Sequence, residues 1–347
     1  MRRGLGLAIA ATTLLWAASG AFASGSTVGL AYESAGAKGS PQIWVANGNG
    51  SNAHKLTTGG QPSLAPNGGA VAVVPESGHS GVVIYSAAGK VIGKFFDPKR
   101  VSAFPLAWSP DSRYLAVALS DVQNLNKIGR SGLALIDVQT GTTTLFVSGV
   151  VEGASWSPTG DKLAYGLAKS IKIAAPTNLY EASIGSGHAS IGPLTTNGNS
   201  LEPVWGKLGI AFDRVKSRGM AEAPLDQIYL LHGGHITQIT HVPVGPLVTG
   251  LAPVAVSANG RRLVAEYGGT DISDAYTVDL VTHATHELIV DGQSVTGWGI
   301  SRDGKRVLIV FGGFEQSPNH GKIESIAWGG GTPTVLEPHG YQPSWDQ

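Results

Sequence analysis

Two glutamates, Glu152 and Glu202, are the side chains of this sequence that could carry out acid–base chemistry as a pair. Each stands a few residues before a tryptophan, at the start of a short apolar segment. Paired carboxylates serve hydrolases and lyases as general acid and general base. A carboxylate at such a place also occurs as a solvated charge without a catalytic role. The residues alone leave both readings open.

Two histidine pairs have a spacing that suits zinc, because imidazoles three residues apart can bind one ion. They are His232 with His235 and His283 with His286. The sequence has no cysteine, which excludes disulfides, thiolate metal sites and a lipidated N-terminal cysteine. It also has neither a Gly-x-Ser-x-Gly motif nor a P-loop, so we predict no cofactor.

An internal repeat defines the elements that must position these side chains. In the phrase Trp108–Ser109–Pro110–Asp111, one apolar segment ends and turns into the next. Proline fixes φ for the turn and aspartate supplies an oxygen that can cap backbone groups. The phrase returns at the anchor positions Leu64, Trp108, Trp156, Trp205, Val256, Ile300 and Trp345. Their spacings are 44, 48, 49, 51, 44 and 45 residues, and a period in the mid-forties built of short strands is typical of a β-propeller.

The two ends of the repeat array are incomplete in complementary ways. Residues 28–57 read as the second, third and fourth strands of a unit, and residues 342–345 read as a first strand. We predict that these ends pair within one sheet, which closes the ring and removes a free sheet edge. The sequence therefore predicts an all-β fold over residues 24–347, a seven-bladed β-propeller of four-stranded antiparallel blades. Six blades are the alternative.

The Trp-Ser-Pro-Asp phrase, the apolar strand after it and a later Ile228–Tyr229 strand resemble the WD-like propeller repeats of the TolB family. The resemblance covers nearly all of residues 24–347. It implies a role as a protein-interaction hub in the periplasm. Two features depart from the family pattern: TolB propellers have six blades, and the α/β domain that precedes them has no counterpart here.

The propeller reading places the candidate residues. Glu152 and Glu202 are expected near the mouth of the central channel. The histidine pairs fall at the outer rim, where neighbouring blades diverge, so we predict no metal site. Tryptophans at a shared repeat position could stack on sugars, but a large ring recurring there is better explained by packing between blades.

The connections between second and third strands are long at residues 120–131, 169–178, 213–226 and 312–321. In a propeller they share one face with the connections between blades, and insertions gathered on one face commonly mark a binding surface. The first three carry seven basic and four acidic residues in a chain that is neutral overall. The basic residues are Lys127, Arg130, Lys169, Lys172, Arg214, Lys216 and Arg218. We predict that this loop face binds a protein or an anionic envelope component; an ordinary solvated mixture of charges is the alternative.

The N-terminus predicts export. Arg2 and Arg3 precede an apolar stretch at residues 5–18, and Ala21–Phe22–Ala23 fits a cleavage site. We therefore predict a signal peptide at residues 1–23, removal after Ala23 and a periplasmic or extracellular location. No other stretch is long enough to span a membrane.

Composition narrows the partners. Lys plus Arg and Asp plus Glu each number 24, so nothing indicates a nucleic-acid partner. We expect a monomer. The sequence favours an exported, non-enzymatic binding module. The alternative is a secreted carbohydrate-active or other hydrolase or lyase with its site at the central channel.

Overall fold

The computed structural model describes residues 28–36, 39–76, 81–96, 101–121, 128–171, 175–185, 189–215, 226–245, 248–269, 272–311 and 321–345. Within these ranges the chain forms 29 β-strands and no α-helix, which confirms the all-β prediction. The predicted signal peptide, residues 1–23, lies outside the described residues.

The strands are short and follow one another in hairpins. Those of the first half are β1 Leu30–Ala35, β2 Pro41–Ala46, β3 His54–Thr58, β4 Gly60–Leu64, β5 Ala70–Val74, β6 Val82–Ser86, β7 Val91–Phe95, β8 Val101–Trp108, β9 Tyr114–Asp121, β10 Gly132–Asp137, β11 Thr142–Ser148, β12 Val150–Trp156, β13 Lys162–Ala168, β14 Thr177–Ser183 and β15 Ala189–Pro193. Those of the second half are β16 Ser200–Gly206, β17 Gly209–Val215, β18 Asp226–His232, β19 His235–Gln238, β20 Val248–Val256, β21 Arg262–Gly269, β22 Ser273–Asp279, β23 Thr285–Glu287, β24 Ile289–Val290, β25 Gln293–Ile300, β26 Arg306–Phe311, β27 Lys322–Ala327, β28 Thr334–Glu337 and β29 Tyr341–Trp345.

Hydrogen bonds divide these strands into six sheets. Four sheets have four strands each: β29-β1-β2-β3, β4 to β7, β8 to β11 and β12 to β15. One has five, β24 to β28, and one has eight, β16 to β23. A single parallel bridge between Asp226 and Gly250 joins the two halves of the eight-stranded sheet. All other pairings between named strands are antiparallel, so each half repeats the four-stranded antiparallel unit. The number of blades depends on whether these halves count as one blade or two.

The two ends of the described chain pair as the repeat phase predicts. Strand β29 pairs antiparallel with β1, with Trp345 opposite Leu30 and Ser344 opposite Ala31. The hydroxyl of Tyr32 also donates to the carboxylate of Glu337 at 2.8 Å. The last strand of the chain is therefore the inner strand of the first sheet.

The first strands of the units form a ring. We call β4, β8, β12, β16, β20, β25 and β29 the anchor strands, because each has an anchor position of the repeat as its last or, in β16, its second-last residue. Each anchor strand contacts the next one along the chain, and β29 contacts β4. The anchor strands thus enclose a central space, as in a β-propeller.

Apolar side chains fill the spaces between neighbouring sheets. Strand β9 shows the rule: Leu115 and Val117 pack in the cluster shared with β5 and β6, whereas Ala116 packs on the other side with Trp156 and Tyr165. Successive residues of a strand point to opposite faces, so a strand buried on both faces reads as a continuous apolar run. This explains why these strands lack a polar alternation.

The tight turns after the anchor strands use the predicted capping. The carboxylate of Asp111 accepts from the Ser109 hydroxyl at 2.5 Å and from the Arg113 amide at 3.1 Å. Asn259 and Asp303 make the same pair of bonds in their own turns. The recurring Ser-x-Asp/Asn phrase is therefore a turn-forming element.

The anchor strands are longer than the sequence predicts. The pattern places the first strand of two units at residues 106–109 and 203–205, whereas β8 begins at Val101 and β16 at Ser200. The cause is a β-bulge before the anchor residue, which breaks the ladder without ending the strand. The register shifts lie between Gly60 and Ser63, Pro105 and Ala107, Val151 and Ala154, Leu201 and Val204, Pro253 and Ala255, Gly297 and Gly299, and opposite Ala31 and Glu33 for β29.

Candidate functional site

The bulges of the anchor strands position the polar side chains of the central space. Gln61, Glu202 and Gln342 occupy the same repeat position, three residues before the anchor, and have φ of 52°, 43° and 46°. Each is followed by a proline, and Pro62, Pro203 and Pro343 are all buried. A non-glycine residue at positive φ before proline is strained, at a cost of about 1–3 kcal/mol. Because such strain is concentrated at functional sites, this repeat position is a candidate site.

Glu152 and Glu202, both predicted as channel candidates, are brought together with a third carboxylate. Glu152 lies in the bulge of β12 and Glu202 in the bulge of β16. The two bulges touch: a Cβ on Gly153 would lie 3.0 Å from the Cα of Glu202. The third member is Glu266 on β21, whose carboxylate accepts from the Ser273 hydroxyl at 2.7 Å. We call Glu152, Glu202 and Glu266 the acidic group.

The acidic group changes the ionisation of its central member. Burial of the carboxyl raises the pKa of Glu202, and the negative charges of Glu152 and then Glu266 raise it further. Water reaches the residue from the channel side, yet protein atoms surround the carboxyl closely. Glu202 therefore takes up a proton at a higher pH than an ordinary glutamate does.

On the other arc of the ring, the anchor strands line a cavity of about 370 Å³. Its walls come from β4, β8, β25 and β29, and include Gln61, Leu106, Trp298 and Gln342. No acidic or basic side chain is among the lining residues that the structure describes. The same bulge thus presents carboxylates on one arc and neutral amides on the other.

Trp298 differs from Trp108 and Trp156, two of the tryptophans at anchor positions. The indole N–H of Trp108 donates to the Ser63 carbonyl and that of Trp156 to the Ala107 carbonyl, both at 3.0 Å, so these rings tie one anchor strand to the preceding one. This contact supports packing between blades as the role of the shared tryptophans. Trp298 stands two residues before its anchor, inside the bulge of β25. Its indole nitrogen is shielded from solvent and has no hydrogen-bond partner in the part of the chain that the structure describes.

A buried carboxylate holds two of the bulges. Glu33 on β1 is 3% exposed and accepts from the backbone N–H of Gln61. It also receives a hydrogen bond from the hydroxyl of Tyr341, and both bonds stabilise its charged form. Burial outweighs them and raises the pKa of Glu33. Glu33 therefore connects β4 to β29 immediately behind the cavity.

Three of the seven predicted basic residues of the loop face lie in the described chain. Arg130 and Lys169 are exposed, each close to the end of a connection between second and third strands. Arg214 is part of β17 and is half-buried, with its guanidinium 4.6 Å from the ring centre of Tyr229 and 5.5 Å from that of Phe212. Desolvation lowers its pKa. Lys127, Lys172, Lys216 and Arg218 lie outside the described residues.

The histidine pairs lie where the repeat places them. His232 and His235 face each other across the β18–β19 hairpin, and His283 and His286 occupy the turn into β23 and that strand. All four histidines are exposed. Within the described ranges, no three His, Cys, Asp or Glu side chains are grouped so that they could hold a metal ion.

Several residues of these sites escape sequence reasoning. Glu266 lies on a second strand, where the repeat gives no reason to look for a channel residue. Glu33 joins strands whose residues lie 28 and 308 positions away in the chain. One signal was available: the polar–proline pair at Gln61–Pro62, Glu202–Pro203 and Gln342–Pro343 recurs at one repeat position.

A helix able to cross a membrane is not found in the ranges that the structure describes.

The ring of anchor strands and the antiparallel units behind them define a β-propeller. Solved structures support this class. The chain is similar to TolB from Acinetobacter baumannii, with a TM-score of 0.50 and 16% identity over 92% of this chain and 66% of that one. Its propeller is therefore TolB-like, as the repeat indicates.

Two enzymes share the fold. A puromycin hydrolase matches with a TM-score of 0.62 and 13% identity, over 91% of this chain and 53% of its own. An oligogalacturonate lyase in complex with manganese matches with a TM-score of 0.55 and 12% identity, over 88% and 84%. The chain thus spans about two thirds of the TolB chain and about half of the puromycin hydrolase. No protein-family profile and no curated protein sequence matches it. At these identities the likeness concerns the fold alone.

Proposed function

We propose that this chain is an exported, non-enzymatic β-propeller that binds a protein or an envelope component through its loop face. The observation that carries the proposal is that Arg130 and Lys169, two of the basic residues predicted for this face, are exposed beside connections between second and third strands. Exposed basic side chains on loops of one face fit a surface that attracts an anionic partner. The strained bulges at Gln61, Glu202 and Gln342 belong to the anchor strands and not to these connections.

The ring is proposed to have seven blades. The anchor strands support this count, because seven of them contact one another in succession and the last contacts the first. The eight-stranded sheet then contributes two blades, joined at the single bridge between Asp226 and Gly250. An experimental electron-density map would test the count directly.

Charge on the proposed binding face is segregated. The acidic group is expected near the channel mouth, and Arg130 and Lys169 are exposed beside connections between second and third strands. A partner that fits would carry positive charge at its centre and negative charge towards its edges. Export rests on the signal peptide predicted at residues 1–23, and a monomer remains our expectation.

The binding test is an affinity pull-down from envelope extract after crosslinking in situ. We expect Arg130→Glu with Lys169→Glu to reduce recovery of the partner. The matched control is Lys90→Glu with Lys207→Glu, which makes the same charge change at exposed lysines in turns on the opposite face. Arg214 is unsuitable for reversal, because its stacking on Tyr229 makes it part of the fold. Equal recovery with both double variants would refute the loop face as the binding surface.

A hydrolase or lyase is the second candidate function, and the acidic group is the observation that favours it. Neighbouring carboxylates of which one has a raised pKa can divide the roles of acid and base. Screening on polysaccharides tests this reading: turnover that is lost in both Glu152→Gln and Glu202→Gln would establish it. If no polysaccharide is turned over and the partner is still bound, the result favours the non-enzymatic binding function.

A further inference from the structure

The cavity on the neutral arc has the properties of a small-molecule site. Its volume of about 370 Å³ lies at the lower end of the range of about 300–1,000 Å³ that such sites occupy. Its walls come from four anchor strands that are far apart in sequence. Its apolar surface comes from Pro62, Pro105, Leu106, Trp298 and Pro343, and its polar side chains are those of Gln61, Ser63, Gln342 and Ser344. Polar groups that converge beside apolar surface can orient a bound ligand.

The polar side chains of this cavity are uncharged: two amides, Gln61 and Gln342, and two hydroxyls, Ser63 and Ser344. Gln61 and Gln342 each provide a carbonyl oxygen and an NH₂ group, so each can accept and donate. Both are held at positive φ by the bulge and by the proline that follows. Substitution by glycine would remove this strain, so the strain is retained together with the amides.

The supporting contacts hold the backbone from which these amides project. Glu33 accepts from the backbone N–H of Gln61 and from the hydroxyl of Tyr341, the residue before Gln342. Glu33 thus links the bulge of β4 to the start of β29 through two hydrogen bonds, and its carboxylate is buried. The backbone of the site therefore needs little ordering when a ligand binds, which favours affinity.

Trp298 supplies an aromatic wall. Unlike Trp108 and Trp156, it has no hydrogen bond that ties it to a neighbouring strand within the described chain. Its position in the ring therefore serves no interblade hydrogen bond of that kind. A tryptophan beside paired amides is a combination suited to a ring that has apolar C–H faces and hydroxyl edges.

We propose that this cavity binds a neutral saccharide, with its C–H groups against Trp298 and its hydroxyls on the amides of Gln61 and Gln342. The uncharged lining gives no counter-ion to an acidic or basic sugar. The proposal goes beyond the loop-face partner, because it assigns a separate ligand to the arc of the channel opposite the acidic group.

The experiment is saturation-transfer NMR with the full exported chain, followed by titration. The neutral probes are methyl β-glucoside, N-acetylglucosamine and cellobiose; the charged probes are glucosamine and glucuronate. We expect saturation transfer to at least one neutral probe with millimolar affinity, and weaker binding of its charged analogue. An uncharged peptide, acetyl-Gly-Pro-Ala-amide, tests the competing class of ligand.

Three variants assign the binding to the cavity. Gln61→Met and Gln342→Met keep the length and backbone strain but remove the amide, so we expect each to weaken binding about two- to tenfold. Trp298→Phe reduces the aromatic wall and should weaken it by a similar factor. Gln139→Met makes the same exchange at an exposed turn residue and should leave the affinity unchanged.

Four results would overturn the proposal. They are no saturation transfer to any neutral probe, affinities that none of the cavity variants changes, binding of the peptide without any saccharide, and tighter glucosamine binding that Glu202→Gln abolishes. The last would move the ligand to the acidic group. None of them bears on the loop-face partner, whose recovery depends on Arg130 and Lys169.

Discussion

The two arcs of the channel share one backbone and differ in chemistry. Glu202–Pro203 on β16 and Gln342–Pro343 on β29 have φ values of 43° and 46° in the same bulge. On β16 the side chain joins two other carboxylates, whereas on β29 it lines an uncharged cavity. The repeat therefore fixes where a polar side chain is presented, and the single residue before proline decides which ligand it can meet.

The arcs also differ in how their bulges are held. On the neutral arc, the buried carboxylate of Glu33 on β1 accepts hydrogen bonds from the backbone N–H of Gln61 on β4 and from the hydroxyl of Tyr341 on β29. On the acidic arc, the bulges of β12 and β16 meet through the close approach of Gly153 to Glu202. Hydrogen bonds therefore hold the bulges of the neutral arc, whereas close packing holds those of the acidic arc.

The largest effect is expected from Glu33→Ala. It leaves the N–H of Gln61 and the hydroxyl of Tyr341 without their acceptor in a buried place, which should cost about 2–4 kcal/mol of unfolding free energy. Urea unfolding measures the loss. Glu33→Gln keeps one acceptor oxygen and should cost less. The control is Glu181→Ala, which breaks the partly exposed ion pair with Lys162 and should cost at most about 1 kcal/mol. An equal loss in Glu33→Ala and the control would remove Glu33 from its supporting role.

The next effect compares two tryptophans. Trp156→Phe removes the N–H that donates to the Ala107 carbonyl at 3.0 Å, and should cost about 1–3 kcal/mol because that carbonyl loses its partner and the ring shrinks. Trp298→Phe removes an N–H that has no partner in the described chain, so it should cost less by about 1 kcal/mol. Thermal unfolding of both variants at one pH gives the difference. A larger loss for Trp298→Phe would mean that its ring is structural and not part of a ligand site.

The extent of sequence-based prediction follows from these positions. The repeat was sufficient for the strand order, the tight turns and the pairing of residues 342–345 with the first strand, because each depends on local patterns that recur. The lengths of the anchor strands were not predictable in the same way. A bulge with a proline interrupts both the ladder and the side-chain alternation, so the sequence pattern stops before the strand does.

The sites were predicted only in part, for a physical reason. Glu202 stands three residues before its anchor and Glu152 four residues before its own, so both could be placed near the channel by counting. Glu266 and Glu33 depend on contacts between strands distant in sequence, and the repeat phrase contains no information about those. Trp298 is part of a recognisable phrase, but only its unpaired N–H and the cavity beside it separate it from the anchor tryptophans.

A smaller effect should appear in the pH dependence of Glu202→Gln. The folded-state pKa of Glu202 is raised above the ordinary 4.5, so the folded state holds this proton more tightly than the unfolded state. Its contribution to stability therefore falls as the pH rises from 4.5 through the raised value. Glu202→Gln removes that loss and should be more stable than the parent at pH 7.5 by up to about 1 kcal/mol, after allowance for screening in the channel.

Urea unfolding at pH 4 and pH 7.5 measures this difference. The matched substitution is Glu287→Gln, which makes the same exchange at an exposed carboxylate of β23 outside the acidic group. If the unfolding free energy of the parent rises relative to that of Glu202→Gln between pH 4 and pH 7.5, the acidic group is not coupled as described.

The smallest effect isolates charge from strain. Gln342→Gly and Glu202→Gly place glycine at the same bulge, where positive φ costs glycine nothing. Relief of strain and the added freedom of the unfolded chain are each about 1 kcal/mol and oppose each other, so Gln342→Gly should change stability by less than about 0.5 kcal/mol. Glu202→Gly shares both terms and also removes a carboxylate from the acidic group. At pH 7.5 it should therefore be the more stabilising of the two, and at pH 4 the two should converge because protonation removes the charge. If both substitutions behave alike at pH 7.5, the arcs differ in composition but not in energy, and the acidic group is an ordinary solvated set of side chains.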